Sequence, residues 1–248
     1  SDRMHLERRL WIMKTEIKKK FIVKGKIAES PTIMTLNLML EDGSIPEYRP
    51  GQFITIYFPE LGTPEGKAYS ISSAPSEKAF AITVKAIGLF SNKLCSMSPG
   101  NSFEASLPYG YFFSESEKSP LVLIAGGIGV TPFRAMIKEA VEQFPLRKIT
   151  LLQSSKTAED LIFKKEFNAL ARTHSNFRPI FFVTREQSLD PADVQRRIEI
   201  GDIVGKKDPE DSEFFICGSI PFVRDMWKGL REKGVQEENI CTEAFFSH

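Results

Sequence analysis

Histidine is nearly absent from this chain: His5, His174 and His248 are the only three in 248 residues. None stands near another motif, and no Gly-x-Ser-x-Gly elbow occurs, so a hydrolytic triad has nothing to be built from. Cysteine is as scarce, and Cys95, Cys217 and Cys241 form no Cys-x-x-Cys pair. That spacing indicates neither a disulfide framework nor a zinc site, and three thiols cannot hold a cluster that needs about four. Charge of one sign is lacking too, since 33 Lys and Arg offset 32 Asp and Glu. So balanced a chain gives no electrostatic argument for nucleic acid as a partner. No apolar run approaches the roughly 20 residues that cross a bilayer. Residues 1–13 lack the continuous apolar core of a secretory signal and read as a leftover tag or a short docking arm. The expectation is a protein that does not span a membrane, in a reducing, cytoplasmic setting.

What is present divides into two halves. From about residue 18 to 110 the apolar period is that of strands, with Met34, Leu36, Leu38 and Leu40 alternating with Thr35, Asn37 and Met39. Further strands are expected at Gln52–Phe58, Ala68–Ser73, Ala79–Ile87 and Ser102–Leu107, separated by turn clusters such as Gly62–Gly66 and Pro99–Asn101. Only Phe90–Met97 reads as a short helix. Several short strands with frequent turns imply a small barrel or sandwich. The lysines Lys14, Lys18, Lys19, Lys20, Lys24 and Lys26 read as a solvated strand edge, or as a patch that steers an acidic partner.

After the polar joint Ser114–Pro120 the character changes. Strands at 121–125, 149–153, 180–184 and 214–217 alternate with helical patterns at about 133–144, 158–172 and 221–233, the signature of a parallel, doubly wound sheet. Thr157–Asp160 resembles a capping box, and Gly234 sits where a helix C-terminal cap belongs. The key stretch is Leu121–Ala125 running into Gly126-Gly127-Ile128-Gly129-Val130-Thr131-Pro132 and then into Phe133, Met136, Ile137, Ala140, Val141 and Phe144 at helical spacing. Strand, glycine turn and helix start make a candidate cradle for a dinucleotide pyrophosphate, because unpaired N–H groups and the dipole favour an anion there. Proline at 132 replaces the third glycine of the usual fingerprint, and by itself a plain structural turn explains the loop as well.

Five motifs in order carry a resemblance. Arg49–Phe53, Lys67-Ala68-Tyr69-Ser70-Ile71-Ser72-Ser73, Gly88-Leu89-Phe90-Ser91, Gly126–Pro132 and Phe215-Ile216-Cys217-Gly218-Ser219 have the order and spacing of the ferredoxin–NADP reductase family, which the chain resembles from about residue 20 onward. The resemblance implies an N-terminal antiparallel Greek-key β-barrel over 14–117 that binds FAD, with FMN second. A parallel doubly wound α/β domain over 118–248 would bind NAD(P). Tyr69 would lie against the flavin ring and Ser70 would hydrogen-bond near its N5. Lys67 replaces the family's arginine on the flavin pyrophosphate, keeping the charge without the planar fork. Ala68, Val84, Ala86, Gly88, Phe90 and Ser91 complete the flavin set, with Ser91 offering its hydroxyl and N–H to the pyrophosphate. Gly127 and Gly129 would take the nucleotide pyrophosphate, while Thr131 and Pro132 would follow at the flavin–nicotinamide junction. Cys217, with Gly218, would lie beside the hydride path. Glu243 is the implied acidic residue near the terminus, and Phe245 or Phe246 would cover the ring. Ser70, Cys217 and Glu243 form the implied catalytic set.

Hydride transfer from nicotinamide to flavin needs aligned rings and no side-chain proton donor, which suits a chain so poor in histidine. Ser154-Ser155-Lys156 after the second sheet strand favours the 2′-phosphate of NADP, whereas Glu159, Asp160 and a phenylalanine at 163 keep NAD open. The implied activity is that of an NAD(P)H-dependent flavin oxidoreductase passing electrons to a separate acceptor protein (ferredoxin, flavodoxin, cytochrome or oxygenase) or to a small acceptor. The alternatives are a dehydrogenase using the dinucleotide alone and a non-catalytic flavin-binding relay or redox-sensing subunit.

Overall fold

The structure, a computed structural model, describes residues 17–204 and 211–245. The readings of residues 1–13, Lys14 and Phe246 fall outside them. The chain divides into two compact units: one ends at Phe113 and includes Arg134–Met136, and the other comprises Ser114–Phe133 and the chain from Ile137 onward.

The first unit contains β1 (Lys18–Ser30), β2 (Ile33–Leu40), β3 (Phe53–Phe58), β4 (Thr63–Ser70), β5 (Phe80–Lys85), helix α1 (Leu89–Ser96) and β6 (Ser102–Ser106). The strands form one antiparallel sheet in the order β4-β3-β6-β1-β2-β5. Its two outer strands then meet: Ile71 bridges Ile82, and the Ser72 N–H donates to Ala81 O at 2.8 Å. That contact joins the two ends of the sheet at one point and bends it into a barrel. Inside lie Phe21, Val23, Leu36, Leu38, Ile54, Ile56, Ile71, Phe80, Ile82, Val84 and Phe103, the inward positions of a period-two pattern. Helix α1 plugs the barrel with Phe90 and Leu94.

Two expectations are corrected here. The described lysines mark no outermost strand, because β1 lies inside the sheet order, although Lys18 and Lys19 are paired only with β6 and Lys26 only with β2. They stand on the outer face instead: Lys20 pairs with Glu41 at 2.8 Å and Lys18 lies 4.2 Å from the Tyr57 ring centroid. Composition alone cannot tell an outer face from an edge. The strand expected at 68–73 begins earlier, at Thr63, since the turn cluster is absorbed into β4. Gly66 permits this with φ +73° at a place where a Cβ would stand 2.5 Å from Ile56 O.

The second unit holds β7 (Leu121–Gly126), α2 (Thr131–Gln143), β8 (Ile149–Ser155), α3 (Lys164–Thr173), β9 (Phe177–Val183), the short α4 (Ile200–Ile203), β10 (Glu213–Ser219), α5 (Ile220–Glu232) and β11 (Ile240–Phe245). Every strand pair is parallel, in the order β11-β10-β7-β8-β9. Helix α5 packs Val223 and Leu230 onto Val122, Ile124, Leu152, Phe214 and Ile216. It ends as expected at Gly234, φ +89°, where the Gly234 N–H donates to Arg231 O and the Val235 N–H to Leu230 O. No helix among the described residues is long and apolar enough to cross a membrane.

Helix α3 starts at Lys164, six residues later than its apolar pattern suggests. The preceding segment is held by side chains: Gln153 Nε2 donates to Ile162 O at 3.2 Å and the Ser155 hydroxyl to Asp160 O at 3.0 Å. Phe163 then takes the left-handed conformation, φ +64°, and breaks any helix running through it. The Thr157 hydroxyl does accept the Asp160 N–H at 3.3 Å, so the expected box is a turn outside the helix.

A charged clasp fixes the loop after β9. Lys164 Nζ donates to Asp190 Oδ2 at 2.8 Å and to Asp193 Oδ1 at 2.5 Å, and Ser188 Oγ donates to Asp193 Oδ2 at 2.6 Å. The Asp193 side chain is fully buried, so removing its charge partner or the carboxylate leaves a desolvated group uncompensated. Asp193→Ala is expected to cost about 3 kcal/mol, read as a lower urea midpoint. Arg196→Gln, which loses an exposed pair with Asp202, should leave that midpoint where it was.

Candidate functional site

In the first unit, Phe90 gathers the residues of two separate motifs. The Tyr69 ring stacks on it, centroids 6.1 Å apart and planes 21° apart, and Lys67 Nζ lies 5.6 Å from its centroid. Phe90 itself is buried against Phe58 at 4.8 Å, so the barrel core fixes this cluster from below. Lys67 is half-buried and makes no ion pair among the described residues. Beside it, the first turn of α1 carries no acidic residue, and a Cβ at Gly88 would meet nothing within 4 Å. A cation, an unopposed helix start and an open glycine suit a phosphate.

The remaining residues expected to hold flavin are placed unevenly. Ser70 is buried, Ala68 exposed and Ala86 half-buried. The Val84 side chain lies in the barrel core, and its carbonyl accepts the Cys95 thiol at 3.6 Å, so Val84 offers a ligand no side chain. The Ser91 hydroxyl is committed to its own loop: it accepts the N–H groups of Ile87 at 2.9 Å and Gly88 at 3.1 Å. Burial, and the neighbouring Cys95, push the Tyr69 phenol up, so this ring stays neutral at any ordinary pH.

In the second unit, the glycine turn is shaped by the strand beside it. A Cβ on Gly129 would stand 2.2 Å from Cys217 O, and one on Gly126 or Gly218 would stand 2.8 Å from the Phe222 ring. These three glycines are therefore packing necessities. Gly127, with φ +57° and nothing within 4 Å of its Cβ position, is the one whose backbone faces open space. Thr131 and Pro132 are buried in the first turn of α2, where proline loses no helical bond because that N–H has no partner in the helix anyway. The departure from the usual fingerprint thus leaves the helix start intact.

Sheet register aligns the implied catalytic pair. Cys217 on β10 is opposite Ala125 on β7 and Glu243 on β11. Burial, aided by the Glu243 carboxyl, pushes the Cys217 thiol well up, so it is a neutral thiol and no nucleophile. Ser154 is half-buried at the end of β8, Lys156 exposed, and Phe245 half-buried opposite Ser219. Ser155 is withdrawn, its hydroxyl spent on Asp160 O. Sequence reading missed Phe222, the wedge under Gly126 and Gly218; its one signal was glycine at two strand ends that the fold sets side by side. Among the described residues no group of three or more His, Cys, Asp and Glu could hold a metal.

Comparison with known proteins agrees with this architecture. Residues 123–228 match the family model of the oxidoreductase NAD-binding domain. Flavohemoproteins of Rhizobium meliloti and Rhodopirellula baltica are 29% and 32% identical over 246 residues, covering 92% and 91% of this chain and 60% of theirs. The chain therefore spans about three fifths of the length of these curated relatives. The flavohem-like FAD/NAD-binding domain of nitric oxide dioxygenase from Vibrio cholerae superposes with a TM-score of 0.80 at 27% identity, covering 92% of this chain and 98% of that one. A ferredoxin NADP+ reductase from Neisseria gonorrhoeae with bound FAD and NADP shares the fold at 22% identity, TM-score 0.74, over 92% of this chain and 99% of that one. The fold is therefore that of the two-domain FAD/NAD-binding reductase modules, with the oxidoreductase NAD-binding domain in the second unit.

Two measurements follow from the turn and the thiol. Gly129→Ala must push the Cys217 carbonyl aside and is expected to lower the thermal midpoint by several degrees, whereas Gly127→Ala, which meets no atom, should cost only about 1 kcal/mol for its left-handed φ. Because the folded thiol titrates above its ordinary value of 9.0, Cys217 contributes stability that is complete below that pH and is lost as pH rises beyond it. Urea midpoints of the wild type should fall more steeply above pH 9 than those of Cys217→Ala.

Proposed function

We propose that this chain takes hydride from NAD(P)H onto a bound FAD and hands the electrons on singly to a separate acceptor. The observation that supports the reading is that each unit gathers residues suited to one half of that chemistry, in a chain with only three histidines. The first gathers Lys67, Tyr69 and the Gly88–Ser91 helix start around Phe90; the second presents Gly127 beside the Cys217 strand end. FAD supplies the conversion between two-electron and one-electron chemistry.

The chain's own part is binding, orientation and exclusion. Lys67 and the start of α1 neutralise the flavin pyrophosphate, and Tyr69, pinned by Phe90, offers a flat neutral face for the ring. Ser70 is the residue nearest flavin N5 on this reading, and Gly127 gives the nucleotide pyrophosphate its backbone N–H. Cys217, held as a neutral thiol, fills space at the nicotinamide end without competing for the hydride. Glu243, on the adjacent strand, stands in register with it. The relatives named flavohemoprotein support a haem protein as the class of acceptor.

The test is reconstitution followed by anaerobic titration. The purified protein is expected to show flavin absorbance, or to gain it with FAD, and to bleach on addition of NADPH or NADH. Lys67→Gln should weaken FAD binding about tenfold while Lys67→Arg keeps it, since one charge-assisted phosphate contact is at stake. A protein that takes up neither FAD nor FMN contradicts the proposal.

A further inference from the structure

The polar joint Ser114–Pro120 opens the second unit and ends where β7 begins. Glu115, Glu117 and Lys118 are exposed and the other four residues half-buried, so this strap adds no buried apolar side chain to the unit. Polar contacts at the amino edge of the parallel sheet hold it. Arg147, in the turn between α2 and β8, donates from Nη2 to Ser114 Oγ and from Nε to Ser119 O, each at 2.7 Å, and the Glu213 N–H, at the start of β10, donates to Pro120 O at 2.9 Å. The Ser114 hydroxyl also meets the Glu213 carboxylate. Both ends of the strap are thereby fastened. Between them it is folded on itself, with Ser116 Oγ accepting the N–H groups of Lys118 at 3.2 Å and Ser119 at 2.9 Å.

The charges stay behind if the strap lifts. Arg147 is 4% exposed, and its guanidinium is neutralised at 2.7 Å by Glu213 Oε2, which belongs to the sheet and not to the strap. The turn that carries Arg147 is fixed independently, because Asn176 Nδ2 donates to Arg147 O at 2.9 Å and to Phe144 O at 3.3 Å. So is the start of β7: the Leu121 side chain is buried and its N–H donates to Lys148 O at 2.8 Å. Separating a buried ion pair is costly, whereas exchanging a neutral partner for water is not, so Ser114 Oγ and Ser119 O can leave with the pair intact.

We propose that Ser114–Pro120 is a releasable strap, latched by Arg147 through Ser114 and Ser119, that lengthens the connection between the two units without unfolding either. Released, its seven residues add about 23 Å of reach when extended. Segments with few buried apolar contacts open at lower free energy than core strands. The consequence for turnover rests on the reading given under the proposed function. With flavin held by one unit and nucleotide by the other, slack in the connection lowers the effective concentration of one ring at the other.

Native-state hydrogen exchange of the full chain tests the strap without flavin or nucleotide. The amides of Lys118, Ser119 and Glu213 are expected to exchange through an opening that low urea does not accelerate, and those of Leu123 and Ile124 only through one that urea accelerates. Ser114→Ala removes one charge-assisted contact and keeps the Arg147–Glu213 pair; it should speed the strap amides about tenfold and those of β7 less than twofold. Arg147→Lys, which keeps the charge without the fork, should act in the same direction. Strap amides that follow β7 in rate and urea dependence, or that Ser114→Ala leaves unchanged, overturn the strap. In the FAD-loaded protein Ser114→Ala should slow bleaching by saturating NAD(P)H severalfold with FAD affinity unchanged. Bleaching that keeps its rate while the strap amides exchange faster overturns the role in turnover, and a protein that takes up no flavin contradicts the reductase reading while the exchange result stands.

Discussion

The second unit depends on a contact with no room in it. Gly129 lies so close to the carbonyl of Cys217 that a single methyl group would stand 2.2 Å from it, and Phe222 fills the space beneath Gly126 and Gly218 with the same lack of slack. Interiors packed this tightly do not deform continuously, so the glycine turn has one shape. The open backbone at Gly127, the start of α2 and the position of Cys217 all follow from that shape. A turn of polar, flexible residues would have left each of them free to vary.

The first unit reaches a comparable rigidity by another route. Its barrel is closed through Ile71, Ser72, Ala81 and Ile82, and α1 inserts Phe90 and Leu94 into the core. Phe90 then holds Tyr69 and Lys67 against the helix start. Both units thus carry their candidate binding groups on elements packed against an aromatic side chain, Phe90 in the first and Phe222 in the second. On the proposed reading that is what the chemistry asks for: a reaction between two bound rings gains from orientation and has no use for a mobile acid or base.

Much of this was legible in the residues. The period of two before residue 110, the alternation of strand and helix after 120, and the Leu121–Pro132 strand and turn are local signals, and each appears in the structure. Gly234 was legible for the same reason, since a left-handed cap is written in one residue. What was not legible is mostly long-range. That β1 is an interior strand and that Arg185 lies beside Lys156 are facts of pairing between distant segments, whereas Ser155 spends its hydroxyl on the nearby Asp160 because the chain turns back after β8. The late start of α3 belongs to the same class, because the apolar spacing of 158–172 is helical while the carbonyls of Asp160 and Ile162 are claimed by side chains on β8. Phe222 was hidden as well: nothing in Ser219-Ile220-Pro221-Phe222 says that its ring supports the turn at Gly126, in a distant part of the chain.

The central claim, direct hydride transfer from nicotinamide to a flavin held by this chain, is tested most directly by rapid mixing of the FAD-loaded protein with nucleotide deuterated at one face of C4. The account predicts that flavin bleaching is slowed severalfold by deuterium on one face alone. Bleaching that ignores deuterium on either face, with nucleotide binding shown to be faster than the absorbance change, would contradict it.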